Sequence, residues 1–151
     1  MTVSYDTIFS RFLAKIKDYS FLSLPSDTAY DFMREWLHST VSKPHIRKLF
    51  ESISLDDEIM TIQFTLVNTI DDEYDLDFVI EVLVQGMMIE WLTPRVNSME
   101  NISQMFSGSE EKFYSQSSHL SEIQTLLKSL KNEQRKLTRN HGYDFDIISK
   151  R

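Results

Sequence analysis

Asp71, Glu73, Asp75 and Asp77 stand at alternate positions, the spacing with which a calcium loop presents its first oxygen ligands. Such a loop needs glycine at its sixth position and glutamate at its twelfth. Counted from Asp71, those places hold Leu76 and Val82. The spacing therefore predicts an acidic helix start, where carboxylates complement the positive end of the helix dipole. His38, His45, His119 and His141 share no spacing of a two-histidine zinc pattern. The serine-hydrolase elbow is Gly-x-Ser-x-Gly, and the nearest approach to it is Ser107-Gly108-Ser109. The sequence has no cysteine, which removes thiol nucleophiles, disulfides and zinc–thiolate sites together. Carboxylates are plentiful, but nothing selects one pair for glycosidase chemistry. No catalytic, cofactor-binding or metal-binding residue is expected, and the chain reads as a non-enzyme.

Phosphate recognition is the remaining chemistry. Lys128, Lys131, Arg135, Lys136 and Arg139 gather toward the end of the last helical stretch. Glu133 and Gln134 lie among them and no aromatic residue is interleaved, so a specific nucleic-acid site is not indicated. The formal charge of the 151 residues is −7. That charge is unevenly placed. From Glu51 to Trp91 there are eleven carboxylates and no Lys or Arg, which leaves the rest of the chain at +4. Helix-dipole matching accounts for charge at both places. The alternative is a pair of complementary surfaces: an acidic lumen or inter-subunit face of Asp71, Asp72, Glu73, Asp75 and Asp77, and a basic inter-subunit face of Lys128, Lys131, Arg135 and Arg139.

The elements that must position these groups are mostly helical. Tyr5, Ile8, Phe9, Phe12, Leu13, Ile16 and Tyr19 repeat at threes and fours. A second helix, capped by Ser26 or Asp27, carries Tyr30, Met33, Leu37 and Val41. Pro44 breaks it, and a short helix is expected to run through Phe50. Tyr74 to Trp91 is apolar nearly all round, as a central helix is. Gly86 within it costs about 1 kcal/mol relative to alanine, which predicts close approach of another helix. Thr93-Pro94 should end or kink it, followed by a short helix from Asn97 or Ser98 to Phe106. Leu120, Ile123, Leu127, Leu130, Gln134 and Leu137 form a heptad seam in a helix over about 115–140, stopped by Asn140-His141-Gly142.

Glu58 to Leu66 instead alternates with period two, a strand signal. Its partner must lie in this chain or in a neighbour. Tyr143, Phe145 and Ile147 alternate similarly, which makes 143–148 the second strand candidate. The fold class is thus mainly α: about five helices, a long C-terminal one among them, and a minor β element. The domain is expected over 1–142, with 143–151 as a docking arm. Asp6 and Arg11 interrupt the first apolar stretch, unlike a secretory signal, so an intracellular setting is expected. Phe78 to Leu92 is too short and too polar to span a membrane.

Three segments carry a family likeness. They are Ile8 to Tyr19, Gly86-Met87-Met88-Ile89-Glu90-Trp91-Leu92-Thr93-Pro94, and Phe113-Tyr114-Ser115-Gln116 ahead of the last long helix. In that order they resemble the head–tail connector (neck or adaptor) proteins of tailed phages. The resemblance implies a virion structural protein, assembled in the bacterial host cytoplasm. It implies a homo-oligomeric ring, typically of twelve copies, beneath the portal protein, joining the capsid vertex to the tail or the next neck protein. DNA would pass through without tight binding, and an acidic wall would suit that passage. Tyr143, Phe145 and Ile147 would dock on the portal or an adjacent copy. The alternative is a small intracellular helical regulatory protein that dimerises through its last helix.

Overall fold

The computed structural model describes residues 1–16, 19–105 and 110–149, with side chains placed over 1–16, 21–98 and 119–142. The chain is mainly helical with a small antiparallel sheet. In order it runs β1 (Thr2–Ser4), α1 (Tyr5–Lys15), α2 (Tyr19–Leu22), α3 (Ser26–Ser42), α4 (Pro44–Arg47), β2 (Phe50–Asp56), β3 (Thr61–Leu66), α5 (Asp72–Met105) and α6 (Glu110–Ser149). Lys17 and Asp18, part of the first helical stretch expected from sequence, lie outside the described residues, as do Phe106 and Gly108.

The alternating stretch is a strand, and its partners lie in this chain. The sheet order is β1-β3-β2, with Val3 opposite Ile62 and Ile53 opposite Phe64. Ile62, Phe64 and Leu66 point into the core, as the period-two pattern requires. The strand starts at Thr61 rather than Glu58, because residues 57–60 form the hairpin turn. Asp56 Oδ1 accepts the Glu58 and Ile59 N–H groups at 3.0 and 3.3 Å, which tightens that turn. Met60 completes it in the left-handed region at φ 56°. The sequence signal for β2 is weak because Glu51, Ser52, Ser54 and Asp56 are polar and a bulge between Phe50 and Ser52 breaks the alternation. The helix expected through Phe50 stops at Arg47.

α5 is the axis of the domain. Phe78, Val79, Ile80, Val82, Leu83, Val84 and Met87 are all buried, among Ile8, Phe9 and Phe12 of α1, Leu37 and Val41 of α3, and the inner face of β3. Gly86 meets α3: a Cβ built there would lie 2.1 Å from Thr40 Cγ2. The close approach expected of this glycine is therefore present. Pro94 does not end the helix, and no new helix starts at Asn97 or Ser98. Leu92 and Val96, on either side of the proline, pack against Leu130 of α6. That burial on both sides offsets the lost hydrogen bond. Likewise α3 begins at Ser26 with Pro25 in the cap position, so neither Ser26 nor Asp27 is its cap.

α6 runs antiparallel along α5. Leu130 and Gln134 are buried, and Leu120, Ile123, Leu127 and Leu137 are packed beside them. The heptad seam is thus occupied within the chain. Asn140-His141-Gly142 is no stop: the helix continues to Ser149. His141 explains why. Its ring stacks on Phe78 at 3.9 Å, and its Nε2–H donates to the Asn68 carbonyl at 2.9 Å. Tertiary contact holds the helix where local propensity would release it. The strand expected at 143–148 is consequently helical, and no chain break at residue 142 separates an arm from the domain. No helix of the described residues is long and apolar enough to cross a membrane.

Candidate functional site

Two clusters of polar side chains stand out. The first joins Tyr5, His38 and Asp57. Tyr5 O–H donates to Asp57 Oδ1 at 2.6 Å, and His38 Nε2 meets the same oxygen at 2.8 Å. The two hydrogen bonds, that from Tyr5 foremost, hold the Asp57 carboxyl below its ordinary range. Burial pushes the Tyr5 hydroxyl up, with the bond to Asp57 adding to it. A hydroxyl that holds its proton this firmly is a poor nucleophile or base at neutral pH. The cluster works instead as a clasp, fixing the β2–β3 turn to α1 and α3.

The second cluster surrounds a cleft of about 700 Å³ between the α3–α4 corner, α5 and α6. Helical periodicity builds two of its walls. Gly86, Ile89, Glu90 and Thr93 come from one side of α5, and Lys131, Gln134, Arg135 and Thr138 from one side of α6. The third wall follows from Pro44. It breaks the helix after Ser42 and sets Lys43, His45 and Lys48 facing the other two. Gln134 ties the walls together. Its Nε2 donates to the Val82 carbonyl at 3.2 Å and its Oε1 meets His45 Nε2 at 3.3 Å. A polar residue in an otherwise apolar seam was the sequence signal for this place.

The cleft is electropositive in an acidic protein. Lys43, Lys48, Lys131 and Arg135 line it against one carboxylate, Glu90, which pairs with Lys43 at 3.4 Å. Among the described residues, Lys48 and Lys131 have no carboxylate partner, and Arg135 reaches only Asn132 Oδ1 at 3.4 Å. The size suits a ligand group of moderate bulk, and the cations select for negative charge.

The acidic residues singled out from sequence do not form one face. Asp75 is buried and accepts the Ile70 N–H at 3.1 Å. Asp71 accepts the Tyr74 N–H at 2.8 Å, in the manner of a helix cap. Asp77 lies 4.0 Å from Arg11. Asp72 and Glu73 are exposed with no basic partner among the described residues. Of the basic four, Lys131 and Arg135 line the cleft, while Lys128 and Arg139 are exposed on the same stripe at helical spacing. Residues 143, 145 and 147 lie in α6, and the side chains of Tyr143, Phe145 and Ile147 fall outside the described residues. Among the described residues no three His, Asp or Glu side chains converge at metal-binding distance.

Thr40, Lys43 and Lys48 were not singled out from sequence, and Glu90 was read only within the Gly86–Pro94 segment, because the four meet only when separate elements pack. Comparison with protein-family models, curated proteins and solved structures finds no match.

Proposed function

We propose that this chain is a non-enzymatic virion subunit: a head–tail connector adaptor that forms a ring beneath the portal of a tailed phage. It would join the capsid vertex to the tail or the next neck protein, with DNA passing through the ring. The observation that carries this role is the order along the chain of the three segments Ile8 to Tyr19, Gly86 to Pro94 and Phe113 to Gln116. The middle segment supports it physically. Gly86 leaves room for Thr40 of α3 where a Cβ would clash, and Glu90 reaches into the basic cleft. The alternative is a small intracellular helical regulatory protein that dimerises through its last helix; because α5 covers the seam of α6, such a dimer would use another face of that helix.

Mixing the chain with portal protein from its own particle tests the proposal. Negative-stain imaging should show a second ring, of about the portal's symmetry, seated on one end of the portal. A chain that leaves the portal unaltered at micromolar concentration refutes it.

A further inference from the structure

Cations outnumber carboxylates four to one around the cleft between α4, α5 and α6. The chain also carries carboxylates with no cation. Elsewhere in the acidic segment Glu81 pairs with Arg11 and Lys15, Glu90 with Lys43, and Asp57 is held by Tyr5 and His38, while Glu51, Asp56 and Glu58 are exposed without a cation among the described residues, so the longest consecutive run without one lies at the start of α5. Asp71, Asp72 and Glu73, at the start of α5, are exposed and have no basic partner among the described residues. The cleft and this acidic turn cannot meet within one molecule. They share α5, and from residue 72 to residue 86 that helix rises about 21 Å.

We infer that the basic cleft receives the acidic turn of α5, Asp71 to Glu73, from a second copy of this chain. Lys48, Lys131 and Arg135 hold the incoming carboxylates, and Lys43 is shared between them and Glu90. The contact pairs two different patches, so it is head-to-tail and leaves a free cleft at one end and a free acidic turn at the other. Contacts of this kind close into rings or extend as filaments. A nucleic acid is the lesser candidate, because a chain of net charge −7 that displays the same acidic turn repels a polyanion on approach. The inference deepens the adaptor role and rests on it for ring closure, while the contact itself rests on the charges.

Two neutralising variants test it. Lys48→Gln/Lys131→Gln/Arg135→Gln blocks the cleft. Asp71→Asn/Asp72→Asn/Glu73→Gln blocks the turn and keeps a capping side chain at 71. All six side chains are exposed, so the fold is retained, and circular dichroism checks it. In mass photometry and sedimentation at low salt, wild type should form species larger than dimers. Raising salt from about 0.05 to about 0.5 M should weaken association at least tenfold, because the screening length falls severalfold. Each variant alone should be monomeric. Mixed, they should form 1:1 dimers and nothing larger, since one intact turn meets one intact cleft and both outer ends are blocked.

A monomeric wild type, or either variant assembling as wild type does, overturns the inference. So does duplex DNA binding at the cleft that the Gln variant abolishes, which reassigns the site to phosphates. Variants that still ring the portal sink the contact and leave the adaptor role standing. Capped dimers from a chain that ignores the portal do the reverse.

Discussion

Gly86 and Gly142 are both glycines inside helices, and the structure gives them opposite roles. At Gly86 an added methyl would lie 2.1 Å from Thr40 Cγ2. Thr40 is buried and its Oγ1–H donates to the Trp36 carbonyl at 2.8 Å, so it cannot swing aside cheaply. Gly86→Ala should lower stability by about 2 kcal/mol despite alanine's better helix propensity, because overpacking of a tight crossing outweighs it. Chemical denaturation measures this, and pairing the change with Thr40→Ala should recover part of the loss. At Gly142 nothing lies within 4 Å of an added Cβ. Gly142→Ala should therefore stabilise α6 by up to about 1 kcal/mol. A loss there would show that the helix does not continue past residue 142.

The β2–β3 hairpin depends at the element scale on one carboxylate. Asp57 sits in the turn and accepts hydrogen bonds from Tyr5 in α1 and His38 in α3, so three elements share it. Its folded pKa lies below the ordinary 3.8, the bond from Tyr5 being the main cause. A depressed carboxylate contributes stability that is fully present above its unfolded pKa and is lost as pH falls through the folded value. Wild type should accordingly melt above Asp57→Asn at neutral pH, and the gap should close below about pH 4. Melting curves from pH 7 down to pH 3 read it directly. A gap constant across that range would mean that the carboxylate's charge has no part in the clasp.

Considered whole, the protein is electrically divided, and its fold keeps the division. Of the eleven carboxylates in the basic-free segment, Asp77, Glu81 and Glu90 meet cations brought from elsewhere in the chain, and Asp56, Asp71 and Asp75 accept backbone N–H groups close by. Two patches keep an excess of one sign: an acidic turn at one end of α5 and a basic cleft near its middle. The C-terminal end of α6 belongs to the same scale. Removing residues 143–151 should leave the domain folded, because the His141 contacts with Phe78 and the Asn68 carbonyl that anchor this end of α6 remain. If that end docks on the portal, the truncated chain should lose portal binding in the imaging assay while its melting temperature moves little. Undiminished portal binding would rule out that role for Tyr143, Phe145 and Ile147.

The sequence by itself determined the helical frame, because periodicity and burial are local in pattern. The apolar stripe of α1, the all-round apolar α5, the buried alternation of Ile62, Phe64 and Leu66, and the tight crossing at Gly86 were each written in their own residues. It also determined the charge division, which is a matter of counting. Only the tertiary structure decided where elements end and which charges remain free. Pro94 and Gly142 read as stops because local propensity disfavours them, but packing of Leu92, Val96 and His141 outweighs that propensity. β2, with its polar residues and bulge, becomes a strand only because β3 lies beside it. Asp75 and Asp72 are the same distance from a sequence signal, and one is buried on a backbone N–H while the other faces solvent. The cleft is the extreme case. Its cations flank α4, at Lys43 and Lys48, and lie on α6, at Lys131 and Arg135, and no spacing along the chain reports a distance that only folding sets.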